Sequence, residues 1–131
     1  MMKKRMNYNE LYGLYDSLRH MGEVSNIDAA YAIAITMRNI ADEVDFFEKQ
    51  RIRIIKKYGT IDGNNFNIDE DKVTEFNQEM TELLSKEVEV SISQANVGVM
   101  AFKAEGVRAK DYTVAIQYLI KEKKNESEDG D

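Results

Sequence analysis

Five side chains between residues 51 and 58 could bind an anion or an acidic partner. Arg51, Arg53, Lys56 and Lys57 place four cations close together, and Tyr58 adds an aromatic ring that could stack on a base. A phosphate, an RNA or an acidic protein surface is what such a cluster would recognise. The same residues are also typical of the exposed end of a helix, because lysines in the last turn interact favourably with the helix dipole.

Acidic side chains crowd the stretches 42–48 and 62–71. Paired carboxylates can perform acid–base chemistry or bind Mg²⁺, but a helix spreads the acids of the first stretch around its circumference, so we interpret them as a solvated face. The second stretch does not match an EF-hand loop, since its sixth and twelfth positions hold Asn67 and Val73 instead of Gly and Glu. The sequence therefore predicts no metal site.

The composition leaves little room for other catalytic chemistry. The chain of 131 residues contains no Cys and one His, which excludes thiol nucleophiles, zinc knuckles, Fe–S clusters and multi-His metal sites. His20 follows Asp16 by one helical turn, and we interpret it as a helix cap because no nucleophile lies near it in the sequence. No nucleophile elbow or phosphate-binding glycine loop occurs. We predict a protein that is not an enzyme and needs no cofactor.

Charge and hydropathy bear on partners and location. The net charge is −6, from 24 acidic and 18 basic residues, which makes nucleic-acid binding an unfavoured function, because phosphate affinity comes from clustered Lys and Arg. No stretch approaches the ~20 apolar residues of a membrane span. The basic residues at 3–5 are followed by polar residues and not by the apolar segment of a signal peptide. We expect a cytoplasmic protein that binds no membrane.

The dominant pattern predicts one long helix from residue 26 to residue 58, ended by Gly59. Its apolar residues alternate spacings of four and three, the heptad pattern of helix packing, and only Arg51 interrupts them. Such a helix would be roughly 48 Å long, against roughly 36 Å for the diameter of a compact globule of this size. A break near residue 42, an elongated monomer or a covering partner would each account for this length. We favour elongation with self-association.

A second row of small and apolar residues lies beside this heptad pattern. Alanines in that row would let another helix approach closely, so we predict it as the seam of a homo-oligomer, a dimer. Its members are Ala30, Ala34, Met37, Ala41 and Val44.

Shorter elements surround the long helix. The patterns predict an amphipathic helix over 7–21, a hairpin turn at 62–65, a helix from Asp69, a half-buried strand over 87–93 and a last helix from about Asp111. The strand could join the hairpin in a small three-stranded sheet. The predicted fold class is α+β, mainly α, with a long central helix packed with shorter helices plus a small antiparallel β element of a hairpin and one further strand. We predict a single domain over 1–121 and a disordered acidic tail over 122–131.

Several strings, in their order and spacing, resemble a known family. They are RNI at 38–40, IKKYG at 55–59, FNQE at 76–79, LL at 83–84 and EVEV at 87–90. Together they resemble small, uncharacterised proteins encoded by tailed phages and prophages of low-GC Gram-positive bacteria, over roughly residues 30–119. The resemblance implies a phage origin and a host-cytoplasm setting. That family has no established activity, so the resemblance assigns no functional residue.

These observations predict a non-enzymatic phage accessory protein that binds a host or phage macromolecule and could inhibit a host process such as antiviral defence. Two alternatives stay open. One is a protein that sequesters a nucleotide signal between protomers, near residues 51–57. The other is a chaperone of virion assembly.

Overall fold

A computed structural model describes residues 1–121 of the chain, and the predicted acidic tail at 122–131 lies outside the described residues. The fold is α+β and mainly α, as predicted. Its elements are β1 (Met2–Asn7), α1 (Tyr8–His20), α2 (Ile27–Tyr58), β2 (Gly59–Asp62), β3 (Asn65–Ile68), α3 (Val73–Ser85), β4 (Glu87–Ile92) and α4 (Ala109–Val114), which continues as a π-helical turn over Ala115–Leu119. Within this part of the chain, no helix has both the length and the apolar character that a membrane crossing requires.

The long helix α2 is continuous, without a break near residue 42. Asn26 begins it, since its side chain accepts the main-chain N–H of Ala29 at 3.0 Å. Gly59 follows its last residue, and a Cβ at this position would collide with the main-chain carbonyl of Asn67 on β3. A cap that is visible in the sequence therefore fixes the start of the helix, whereas the glycine at its end is required by the close approach of β3.

Strand β4 pairs with the start of the chain and not with the hairpin. Strands β1 and β4 form a two-stranded antiparallel sheet in which Met6 faces Val88 and Met2 faces Ile92. Strands β2 and β3 form a separate two-stranded hairpin at the end of α2. The predicted three-stranded sheet is therefore wrong.

The charges on the exposed face of β1 complement those of β4. Lys3 and Arg5 lie across from the acidic side of β4, and they form ion pairs with Glu89 at 3.8 Å and with Glu87 at 3.1 Å. Opposite charges across a sheet stabilise the pairing, while Met6 is buried in the core. The sequence does not indicate this strand, because its cations outnumber its apolar residues and obscure the alternation.

Helix α2 covers the other edge of β4. The Thr36 hydroxyl accepts the main-chain N–H of Ser93 at 2.9 Å, and Asn39 Nδ2 donates to the main-chain carbonyl of Ser91 at 3.2 Å. Thr36 is fully buried. These bonds satisfy main-chain groups that would otherwise be left unpaired at the edge of the sheet.

The core lies where α1, the first half of α2, the β1–β4 sheet and the segment after β4 meet. Its fully buried side chains include Met6, Tyr8, Leu11, Leu14, Leu18, Met21, Ile40, Ile92, Phe102 and Leu119. The second half of α2, the hairpin and α3 form a thinner part that we call the arm. No residue of α3 is buried, so the arm keeps much of its apolar surface partly exposed.

Candidate interaction surfaces

The five residues of the predicted anion-binding cluster lie at the end of α2, but the fold does not gather them around one pocket. Arg51 donates from Nε and Nη2 to the two carboxylate oxygens of Glu48, at 3.3 and 3.2 Å. Lys57 Nζ and the Tyr58 hydroxyl both donate to Oε1 of Glu79 on α3, each at 2.5 Å. These three residues therefore already bind acidic groups of the chain itself.

Glu79 is the electrostatic centre of this end of α2. Hydrogen bonds from Lys57 and Tyr58 lower the pKa of the Glu79 carboxyl, and the bond to Glu79 raises the pKa of Lys57. The same carboxylate raises the pKa of Tyr58, so the phenol keeps its proton and continues to donate. Arg53 and Lys56 are exposed, and neither forms an ion pair with another residue of the described chain. These two cations are the ones that a partner could reach.

The residues of the predicted oligomer seam are divided between the core and the surface. Val44 is buried, Ala30 and Met37 are half-buried, and Ala34 and Ala41 are exposed. Ala30, Ala34 and Met37 also line an open apolar groove of about 330 Å³ against the end of α1. The seam stays a prediction, and only its two exposed alanines are fully available to another molecule.

The acids between residues 42 and 48 make contacts within the fold. Glu43 accepts the hydroxyl of Tyr8 at 2.9 Å, and Asp45 forms an ion pair with Lys49 at 3.0 Å. Burial, together with the bond to Glu43, raises the pKa of Tyr8 to about 12, so the phenol stays a donor. Across residues 1–121, no group of three or more metal-ligating side chains comes together.

Arg108 joins a charged cluster that the sequence did not indicate. At the start of α4, its Nη2 donates to Asp16 of α1 at 2.9 Å and to Asp111 at 2.8 Å. Asp111 is fully buried, and its Oδ2 also accepts the main-chain N–H and the Nε of Arg108. Arg19 adds a bond to Asp16 at 3.0 Å. The cluster thus ties α4 to α1, two elements that are far apart in the sequence.

Hydrogen bonds keep both carboxylates of this cluster ionised at neutral pH. Bonds from Arg108 and Arg19 lower the pKa of Asp16 to about 2. Burial acts to raise the pKa of Asp111, but the bonds from Arg108 outweigh it and the pKa is lowered. His20 Nδ1 lies 2.7 Å from the main-chain carbonyl oxygen of Asp16, where a helix-capping side chain is expected. The geometry gives this cluster a structural role.

A cleft of about 780 Å³ lies between the segment after β4 and the π-helical turn, and we call it the amide cleft. Gln94, Asn96 and Gln117 bring three side-chain amides to it. Gln94 and Gln117 donate from their amide nitrogens to the carbonyl and the hydroxyl of Tyr118, at 3.2 Å each. Their amide oxygens remain as acceptors. The rest of the lining is Met2, Val97, Gly98, Ile116, Ile120 and Lys121.

Main-chain hydrogen bonds hold the wall of the amide cleft in place. The N–H of Ala95 donates to the carbonyl of Leu119 at 2.7 Å, and the N–H of Lys121 donates to the carbonyl of Ala95 at 2.8 Å. Isolated π-helical turns are rare and frequently occur at functional sites. Ile116, within this turn, is 61% exposed. The cleft therefore combines a fixed backbone, hydrogen-bond acceptors and an exposed apolar side chain.

Comparisons with protein-family models, with curated proteins and with solved structures found no match to this chain. The resemblance to phage proteins therefore stays a prediction.

Proposed function

We propose that this chain is a non-enzymatic phage accessory protein that binds an extended segment of a host or phage protein in the amide cleft. The resemblance to phage proteins supports the origin and, with it, the host cytoplasm as the place of action. Inhibition of a host process such as antiviral defence is the outcome that we propose for a host partner. The predicted homodimer belongs to the same proposal.

The lining of the amide cleft is the observation that supports this function. Side-chain amides suit a peptide, because their oxygens accept main-chain N–H groups and their nitrogens donate to main-chain carbonyls. Gln94 and Gln117 offer oxygens, and the exposed Asn96 offers both kinds of atom. Ile116 beside them can bury apolar side chains of the partner, and Lys121 favours an acidic residue. A volume of about 780 Å³ lies within the usual range for binding clefts.

The nucleotide alternative has less support from the geometry. A phosphate at the end of α2 would have to replace Glu48 at Arg51 and Glu79 at Lys57, and these charge-assisted bonds are already formed. Arg53 and Lys56 alone do not enclose a small ligand. The virion-assembly alternative uses the same mode of protein binding, so the identity of the captured partner separates it from a host target.

The test is affinity capture with the tagged full chain in infected cells, compared between wild type and Ile116→Glu. Ile116 is exposed, so this change should leave the fold intact, which circular dichroism would verify. We expect the variant to capture at least about tenfold less of the partner than wild type does, because a charge replaces an apolar contact at the cleft. Val73→Glu, which also replaces an exposed β-branched apolar side chain by a glutamate, at the start of α3, is the matched control and should capture as wild type does.

The outcomes separate the proposals. Capture of a host protein that depends on Ile116 supports the proposed function, and capture of a virion protein with the same dependence supports the chaperone alternative. Equal capture by wild type and Ile116→Glu would show that the amide cleft is not the binding surface. Absence of any protein enriched over an untagged control would reject the binding function.

A further inference from the structure

Helix α2 carries one continuous row of exposed residues along its whole length, and we call this row the outer stripe. Its members recur at spacings of three and four, so they share one face of the helix. They are Ile27, Tyr31, Ala34, Arg38, Ala41, Asp45, Lys49, Ile52 and Lys56. Apart from the hairpin, which lies beside Ile52, no element of the described residues covers this face, whereas the opposite face of α2 packs on the core and on α3.

The apolar members of the outer stripe are unusually accessible. Ile27 is 81% exposed and Tyr31 is 63% exposed, and the alanines at positions 34 and 41 leave room for a second helix. Contiguous exposed apolar side chains on a soluble protein mark an interaction surface. Ile52 borders a recess of about 250 Å³ that is also lined by Ile61 and Phe66. A ring the size of a tyrosine side chain fits such a recess.

The charges of the outer stripe complement a second, antiparallel copy of the same stripe. With the twofold axis between Ala41 and Asp42, Arg38 faces Asp45 of the second copy, and the symmetry forms this contact twice. Asp28, at the edge of the stripe, comes close to Lys56 of the second copy. Within residues 1–121 Arg38 forms no ion pair, so its charge is free to pair. Asp45 already pairs with Lys49 of its own helix at 3.0 Å, and in the dimer its carboxylate would bind a second cation. In the same register, position 31 faces position 52 and its recess.

A parallel arrangement lacks this complementarity. It would place Arg38 against Arg38 and Asp45 against Asp45, and facing like charges destabilise a helix pair. It would also place Tyr31 against Tyr31, so that no tyrosine ring would enter the recess beside Ile52. The stripe therefore selects one orientation as well as one partner.

We propose that a second copy of this chain binds the outer stripe, with the two α2 helices antiparallel and Tyr31 of each copy packed against Ile52 of the other. This inference rests on the self-association proposed above and assigns its surface. The stripe supplies nine residues per copy, against about 20–30 per side in a standard interface. The dimer should therefore have a dissociation constant in the micromolar range.

Sedimentation velocity of the full chain tests the charge contacts over about 1–100 µM, a range that brackets a micromolar dissociation constant. We expect Arg38→Glu alone, or Asp45→Arg alone, to raise the dissociation constant at least about tenfold. The double variant Arg38→Glu/Asp45→Arg should recover most of the affinity, because the pair is restored with its signs exchanged. Lys103→Glu, the same charge change on an exposed lysine outside α2, is the matched control and should leave dimerisation unchanged.

Cysteine cross-linking tests the orientation, and the absence of native cysteines makes it unambiguous. A mixture of Tyr31→Cys and Ile52→Cys chains should form a mixed disulfide under mild oxidation, whereas Tyr31→Cys alone should not cross-link to itself. Glu82→Cys, on the exposed side of α3, controls for random collisions.

Each result has a distinct consequence. A chain that stays monomeric at every concentration overturns the self-association and this interface together, while partner capture through Ile116 still tests the binding function separately. A dimer that neither charge reversal weakens, or a Tyr31→Cys chain that cross-links to itself, overturns this interface alone.

Discussion

Arg108 shows how much of the fold depends on single charged contacts. Its guanidinium bridges Asp16 on α1 and the fully buried Asp111 on α4. A buried carboxylate is tolerated only when it is paired and hydrogen-bonded, because desolvation strongly disfavours an isolated charge. Asp111 meets this condition with three bonds from one residue, two of them from the side chain and one from the main chain. The last helical segment is therefore held to α1 by polar contacts as well as by its apolar residues.

Removing the buried carboxylate should destabilise the protein. We expect Asp111→Ala to reduce the free energy of unfolding by about 3 kcal/mol, since it removes a helix cap and a buried ion-pair partner. Urea denaturation followed by circular dichroism measures the change. Asp42→Ala, on the exposed face of α2, should change the free energy by less than about 0.5 kcal/mol. Equal effects of the two substitutions would contradict a structural role for the cluster.

The same cluster should make stability depend on acid pH. The pKa of Asp16 is lowered from 3.8 to about 2, so the folded state holds the ionised form more strongly than the unfolded state does. The resulting stabilisation is present above pH 3.8 and is lost as the pH falls towards about 2. Asp111, whose pKa is also lowered, acts in the same direction. Urea midpoints measured across this range should fall more steeply for wild type than for Asp16→Asn, and parallel curves would be inconsistent with this assignment.

Only part of this cluster can be predicted from the sequence. A spacing of three residues between Arg108 and Asp111 is visible in the sequence and could have indicated a local ion pair at a helix start. Nothing in the sequence indicates that Asp16, 92 positions from Arg108, completes the cluster. Similarly, the sequence predicts a cluster of cations at 51–58, but the acid that binds Lys57 and Tyr58 comes from another helix. Contacts between distant elements depend on packing, which a local pattern does not encode.

At the scale of elements, strong periodicity predicts which segments are helical, but not every start. The helix predicted from Asp69 begins at Val73, after a 3-10 turn over Glu70–Lys72, and the last helix begins at Ala109 and not at Asp111. The continuous pattern of α2 and its caps predicted its bounds to within about one residue. The strand pairing could not be predicted in the same way, because the alternation of β4 determines which side is buried and does not name its partner. The partner was β1, whose Lys3 and Arg5 complement the acids of β4.

Two glycines offer a matched test of how local geometry constrains these elements. Gly59 joins α2 to the hairpin, and an added methyl group would collide with the main chain of Asn67, which cannot move away as a side chain can. Gly59→Ala should therefore destabilise the protein by about 1–3 kcal/mol. Gly13 lies in the middle of α1 with no atom close to an added methyl group, so Gly13→Ala should stabilise by about 0.5–1 kcal/mol. Thermal unfolding of the two variants should shift in opposite directions, and shifts of the same sign would count against this account.

At the scale of the whole molecule, burial is unevenly distributed between the core and the arm. Helices α1 and α3 have the same length of 13 residues, yet α1 has five buried residues and α3 has none. The arm is held instead by half-buried contacts such as that of Tyr58 with Phe76, whose rings lie 6.5 Å apart, and by the bonds to Glu79. Elements with few buried contacts open locally at a lower free energy than the core does. The proposed interaction surfaces lie on both parts, since the amide cleft adjoins the core and the outer stripe extends onto the arm.

Hydrogen exchange should therefore separate the two helices. Main-chain amides in the first turns of α3 should exchange at least about tenfold faster than those of α1, because α3 has no buried residue and its contacts with the core are made by Leu83 and Leu84 in its last turn. Mass spectrometry of peptides from the two helices measures this difference, and their equal length removes chain length as a cause.

In a dimer formed through the outer stripe, the amides of α2 should be further protected at high concentration while those of α3 should not, because the stripe lies on the side of α2 opposite the core. Equal protection of α1 and α3 would mean that the arm and the core unfold as one unit, which would contradict a lower stability of the arm.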